Sequence, residues 1–302
     1  MATTQQAPSG SGIAKPDPGG SVSPTAPPTV GTPSHRGRRP GTRTVPGTAL
    51  GLGTAVLYLS LIVLIPLSAV VLHAAKAGPD FFWRAITTPD AWAALKLTIG
   101  GSLLVAAVNL VMGTVIAWVL VRDRFPGKAI VDLLIDLPFA LPTIVAGLVL
   151  LALYGTTSPL HINLAYTRAS VIFALLFVTL PFVVRTVQPV LLELDRDMEQ
   201  AAYSLGASGW TTFRRIVLPN LLPAMLSGAG LAFTRAIAEF GSTSLISGNL
   251  PGKTQVVAVT IFGRVQNDDI PSAAAISTLL LAIALVVLVA LDFLHRRGAR
   301  RG

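Results

Sequence analysis

Long apolar runs separated by short polar stretches dominate the chain after its first fifty residues. The runs near 49–75, 95–121, 130–154, 171–192, 222–246 and 273–293 each reach spanning length. About 20 helical residues cover roughly 30 Å of hydrocarbon. Backbone N–H and C=O groups find no water inside lipid, so each run is expected as an α-helix. Strand-like alternation is absent from the runs, which argues against a membrane barrel. The pattern predicts an all-α integral membrane protein with six transmembrane helices.

Residues 1–47 read differently. They are rich in Gly, Pro, Ser and Thr and end in the basic cluster Arg36, Arg38, Arg39 and Arg43. Such a segment lacks the apolar content to offset ordering entropy, so a disordered head is expected. A signal peptide would place its apolar stretch much nearer Met1. The domain reading is a basic head at 1–47, a transmembrane domain at 48–297 and a short tail at 298–302.

Composition agrees with the pattern. The 302 residues are 52% hydrophobic and 12% charged, with a mean hydropathy of +0.67. Soluble domains carry about 25% charged residues. The chain has no cysteine, which excludes a disulfide framework, a thiolate-held cluster and a thiol nucleophile. His35, His73, His161 and His295 are scattered singly, and no imidazole metal site is visible.

The net charge of +9 is a topology signal. Most Lys and Arg fall in the head, the 122–128 connection, the 196–215 connection and the tail. The alternate connections hold few. The positive-inside rule makes the first group cytoplasmic. Six spans with both termini inside satisfy it. A nucleic-acid partner would need an exposed basic domain, and none is present.

The connection at 195–219 is the most informative stretch. It reads as a helix of good formers ending at Gly206, a turn, and a second short helix stopped at Pro219. Met198, Ala201, Ala202 and Leu205 recur at helical spacing and make one apolar stripe. Such a helix either lies on the lipid surface or docks as a knob in a partner's groove.

The segment resembles the EAA loop of ABC importer permeases. That pattern is Glu-Ala-Ala, three residues, Gly, nine residues, Ile, one residue, Leu-Pro. It falls on Gln200, Ala201, Ala202, Gly206, Ile216, Leu218 and Pro219. Gln200 replaces the usual Glu, and Glu199 stands beside it on a different helical face. The stretches Asp136–Ala146, Ala238–Ser242 and Gly248–Thr254 also resemble sulfate/thiosulfate permeases of the CysT type. Molybdate permeases share much of this.

The resemblance implies a MetI-like, type I importer permease in the inner membrane. It implies a second homologous permease of the CysW type, two ATPase subunits of the CysA type and an extracytoplasmic sulfate-binding protein. ATP-Mg would sit on the ATPase subunits, with no cofactor or metal in this chain and no catalytic residue. The loop at 195–219 would couple to an ATPase through Glu199, Gln200, Ala201, Ala202, Gly206, Ile216, Leu218 and Pro219. The rival reading is an ion-coupled secondary transporter. That class uses inverted repeats, and no internal repeat is seen here.

Gly-Lys-Thr at 252–254 invites a nucleotide reading. A P-loop needs four residues between its first Gly and Gly-Lys-Ser/Thr. Only three separate Gly248 from Gly252, so a turn on the outer face is expected instead.

Ionisable residues inside spans are costly. Arg235 and Glu239 are four apart and can pair on one helix face. They either seal the bundle or, with Ser242 and Pro142, belong to the anion's path. Arg185 is expected to snorkel toward the cytoplasmic end. Asp136 is expected near a helix start, where the dipole favours an anion. Pro138, Pro142, Pro181 and Pro189 can each kink a span. Gly228, Ala229 and Gly230 suit close helix packing.

Overall fold

The computed structural model describes the backbone of residues 46–299, with side chains over 50–290 and at 293. The expected head lies outside the described residues, except for its last two, which open the first helix. Chain contacts divide the protein into residues 1–54 and residues 55–302. Of the first unit only the opening turns of α1 (Pro46–Leu59) are described.

The elements after α1 are helical throughout the described residues. A π-helical turn, Ser60–Leu64, leads into α2 (Ile65–Lys76). Then come α3 (Pro79–Thr87), α4 (Pro89–Arg122), α5 (Lys128–Ala140), α6 (Thr143–Tyr154) and α7 (Arg168–Glu193). The loop region holds α8 (Arg196–Ser204), α9 (Gly209–Thr212) and a second π-helical turn, Phe213–Val217. The described residues end with α10 (Leu218–Ile237), α11 (Gly241–Ile246), α12 (Val257–Gln266) and α13 (Ile270–Ala299).

Five helices are long and apolar enough to cross a membrane: Leu50–Lys76, Pro89–Arg122, Arg168–Glu193, Gly209–Ile237 and Ile270–Ala290. A sixth span requires α5 and α6 to be taken together, and they are bent by 119°. The most apolar window of Leu50–Lys76 has no buried residue. Ala74 near its end is buried and α2 packs on α13, while the stretch left uncovered by the described residues is apolar all round and suited to lipid.

Two expected rods are broken. The run at 130–154 parts at Leu141 and Pro142, both extended, with ψ of 134° at each. Proline disfavours helix in the residue before it and offers no N–H to the turn. By contrast Pro138, Pro181 and Pro189 sit inside helices that continue past them. The run at 222–246 also fails to stay whole, because α10 stops at Ile237 and α11 begins at Gly241.

The core is a three-helix hub of α4, α7 and α10. Val183, Val184 and Val187 of α7 pack with Ala117 and Leu120 of α4 and with Leu221 and Met225 of α10. Glycines set the spacing. A Cβ on Gly113 would lie 2.8 Å from Val183 Cβ, and one on Gly228 would lie 2.9 Å from Val183 Cα. Neither fits, so both helices reach α7 at Val183 by close backbone approach. Asn109 Nδ2 donates to Thr179 Oγ1 at 2.9 Å, a buried polar tie between α4 and α7.

The ends of α4 define two ends of the bundle, about 50 Å apart for a helix of this length. At one end Arg264 bonds Asp90 at 3.0 Å and Arg168 Nε donates to the Lys253 carbonyl at 3.0 Å. At the other end Arg122 meets the loop that follows α7.

Candidate functional site

Local hydrogen bonds shape the loop at 195–219. Asp195 caps α8, its Oδ1 accepting the Asp197 N–H at 2.9 Å. At the far end Gly206 N–H donates to Tyr203 O and Ala207 N–H to Ala202 O, at 2.9 and 3.0 Å. That pair of bonds needs a left-handed residue between them, and Gly206 supplies it with φ of 82°. Ser208 then caps α9, its Oγ accepting the Thr211 N–H at 3.3 Å.

Pro219 does not stop a helix, contrary to expectation. It lies in the first turn of α10, and the helix runs on from Gly209 to Ile237. The π-helical turn before it takes up the break. Leu218 N–H reaches back to Phe213 O, a five-residue step that helices use where an i−4 bond is lost. Ile216 lies within that turn.

Among the described residues the apolar stripe of α8 is largely uncovered. No residue of α8 is buried. Met198 is exposed, Leu205 is 89% exposed and Trp210 beyond it is 70% exposed. Gln200, Ala201 and Gly206 are exposed as well, and Ala202 is half-buried.

Glu199 turns the other way. Its carboxylate forms an ion pair with Arg122 at the end of α4, with side chains only 11% and 14% exposed. The Arg122 guanidinium also lies over the Trp118 ring, 5.3 Å from its centre. Trp118 meets Phe213 edge-on at 5.6 Å, and Phe213 stacks on Trp210 at 5.7 Å. The loop is thus fastened to α4 twice, once by charge and once by aromatic packing. A shallow apolar cavity of about 420 Å³ lies among Thr114, Trp118, Trp210 and Phe213. The sequence reading missed Arg122 and Trp118. A cation in the last turn of a long helix is the signal that could have pointed to Arg122.

The structure brings the four expected pathway residues together. Arg235 Nη1 pairs with Glu239 Oε2 at 2.6 Å. The other Glu239 oxygen accepts from Ser242 N–H at 2.7 Å and Ser242 Oγ at 2.8 Å. This capture of Ser242 is the physical reason α11 starts afresh after α10. Glu239 is 2% exposed, so its charge is held by partners rather than water. The break at Pro142 lies against the same place. A Cβ on Gly241 would come 2.7 Å from Ile144 N, and one on Gly147 would come 2.6 Å from Ser242 O. Helix α6 and α11 therefore touch backbone to backbone, and only glycine fits on each side.

Arg185 does not snorkel. It is clasped between α5 and α7. Nε and Nη2 bond both oxygens of Asp136 at 2.7 and 2.6 Å, and Nη1 bonds Asp132 Oδ1 at 2.8 Å and Gln188 Oε1 at 2.6 Å. Asp136 is not near a helix start either. The first turn of α5 has no acidic residue, and a bidentate arginine, not a dipole, balances Asp136.

The stretch 248–254 forms a turn, with the Leu250 carbonyl accepting from the N–H groups of Lys253, Thr254 and Gln255. Among the described residues no group of His, Asp and Glu is gathered as a metal site.

Curated relatives match the sequence over most of the chain. The sulfate transport system permease protein CysT of Escherichia coli (strain K12) is 43% identical over 266 residues, covering 86% of this chain and 96% of that protein. CysT of Synechocystis sp. is 44% identical over 252 residues, covering 81% and 88%. Among solved structures, a bacterial ABC transporter involved in import of the polysaccharide alginate superposes with a TM-score of 0.69 at 15% identity, covering 82% of this chain and 94% of that one. The MetNI methionine ABC transporter superposes with a TM-score of 0.52 at 17% identity, covering 70% and 99%. Those two show the fold, which is that of an ABC importer permease. The family of binding-protein-dependent transport system inner membrane components matches residues 109–301. The chain belongs to that family.

Proposed function

We propose that this chain is a membrane-spanning permease subunit that imports sulfate or thiosulfate in an ATP-driven complex. The observation that carries the reading is the loop at 195–219, whose apolar face is bare while its acidic residue is tied inward to α4. A surface built this way suits a separate protein and transmits its motion. The CysT likeness over most of the chain supports the choice of anion.

Two ATPase subunits of the CysA type would carry ATP-Mg. One would dock on the loop through Gln200, Ala201, Ala202, Gly206 and the neighbouring apolar side chains. A second permease of the CysW type would complete the path, and an extracytoplasmic binding protein would deliver the anion. Both termini of this chain would lie in the cytoplasm.

The transmission route is short. Movement of the loop reaches α4 through Glu199–Arg122 and Phe213–Trp118, and reaches α10 through the continuous helix from Gly209. Both helices meet α7 at Val183. The far end of α10 leads to Arg235, Glu239 and Ser242, which bear on the break at Pro142. Rigid-body shifts of such packed elements are how transporters switch access. In this account Arg235 holds Glu239 and is not a tight anion ligand, since tight binding would trap the cargo.

The test is uptake of labelled sulfate by a strain lacking the chain and complemented with it, with molybdate as competitor. Restored sulfate uptake supports the reading. Uptake of molybdate with none of sulfate would move the assignment to the related oxyanion, and uptake without any ATPase subunit would point to an ion-coupled transporter.

A further inference from the structure

At the bundle end opposite the loop, a recess of about 400 Å³ opens between the start of α4 and the start of α7. Lys96, Gly100, Gly101, Arg168 and Gly252 line it, and no carboxylate does. Gly101 marks where α4 comes against α7, since a Cβ there would lie 3.0 Å from Ile172 Cδ1. Gly100 faces open space, with nothing within 4 Å of its Cβ position.

Both cations are placed against their own local interest. Arg168 is the first residue of α7, where the helix dipole favours an anion and disfavours a cation. Lys96 stands inside the apolar span of α4, about 10 Å along from its start. Neither forms an ion pair among the described residues. Lys96 lies over the Trp92 ring at 5.7 Å. Arg168 is aimed by one bond, its Nε donating to the Lys253 carbonyl at 3.0 Å. That bond also holds the Gly252 turn at the mouth. Lys96 and Arg168 are the two charged residues that line the recess.

We propose that this recess is a weak staging site for a tetrahedral oxyanion, between its delivery from outside and its entry to the path. It rests on the oxyanion reading above. Two exposed cations with no carboxylate lining the recess raise the local concentration of a dianion without holding it tightly. A fork of guanidinium donors beside an ammonium matches oxygens spread over a tetrahedral anion.

The test uses the assembled transporter in proteoliposomes, with labelled sulfate supplied on the binding protein. Gly100→Glu and Gly100→Gln differ only in charge and both point into open space. The site requires Gly100→Glu to take up about tenfold less than the isosteric Gly100→Gln, with the gap narrowing as salt is raised. Lys96→Gln with Arg168→Gln is expected to lose a similar factor while the affinity for the binding protein stays unchanged. Equal uptake by the two Gly100 variants would overturn the site. So would a binding-protein affinity that falls in step with uptake, since the cations would then serve protein docking. Wild-type liposomes that take up no sulfate would instead sink the oxyanion reading, and this site with it.

Discussion

Arg122 and Glu199 form a largely buried ion pair that ties the last turn of α4 to the short helix α8. It is the sole charged fastening between the loop and the bundle among the described residues. Removing one partner of a buried pair is strongly destabilising, by about 3–5 kcal/mol where burial is complete. Burial here is incomplete, so Glu199→Gln is expected to loosen α8 from α4 without unfolding the bundle, and to cut uptake more than ATP hydrolysis. The double exchange Arg122→Glu with Glu199→Arg should restore part of the uptake. The ratio of sulfate moved to ATP hydrolysed in proteoliposomes checks this. An unchanged ratio would remove the strut.

Gly206 is held at φ of 82° at the end of α8. A Cβ in that region costs about 1–2 kcal/mol. Gly206→Ala should loosen α8 locally, and hydrogen exchange of the amides at 205–207 should speed up. Thermal unfolding of the bundle should be unchanged, because nothing lies within 4 Å of the new Cβ.

Gly113 and Gly228 behave oppositely. A side chain at either would overlap Val183 or its backbone. Overpacking costs about 1–3 kcal/mol. Gly113→Val and Gly228→Val should each lower the detergent melting temperature by several degrees, while Gly100→Ala should not. Equal melting temperatures for all three would contradict the hub.

The Arg185 clasp joins α5 to α7 with two carboxylates on one guanidinium. Arg185→Leu leaves Asp132 and Asp136, each a little under half exposed, with no cation between them. It should destabilise more than the combined change of Arg185, Asp132 and Asp136 to Leu, Asn and Leu, since removing a whole ionic cluster is cheaper than orphaning part of it. Thermal unfolding of the single and triple variants decides the order.

The spans were legible in the sequence because hydropathy over about 20 residues is a local property. So were the cap at Gly206 and the pairing of Arg235 with Glu239, both set within a few residues. The break after Pro142 was hidden among other prolines. Pro181 and Pro189 have the same local chemistry, yet α7 runs past both, with α4 and α10 packed on it between them at Val183, Val184 and Val187. The restart at Gly241 depends on Glu239 reaching Ser242 and on α6 lying against α11. The partners of Glu199 and Arg185 lie 77 and 49 residues away along the chain. No helical periodicity reports on contacts of that range.

The most direct measurement uses the absence of cysteine from the sequence. Leu205→Cys places a single thiol at a loop position that is 89% exposed. In intact cells a membrane-impermeant maleimide should leave it unlabelled, and in the assembled transporter a short bifunctional maleimide should join it to the ATPase subunit. Labelling from outside the cell, or no cross-link to the ATPase in an active complex, would contradict the account.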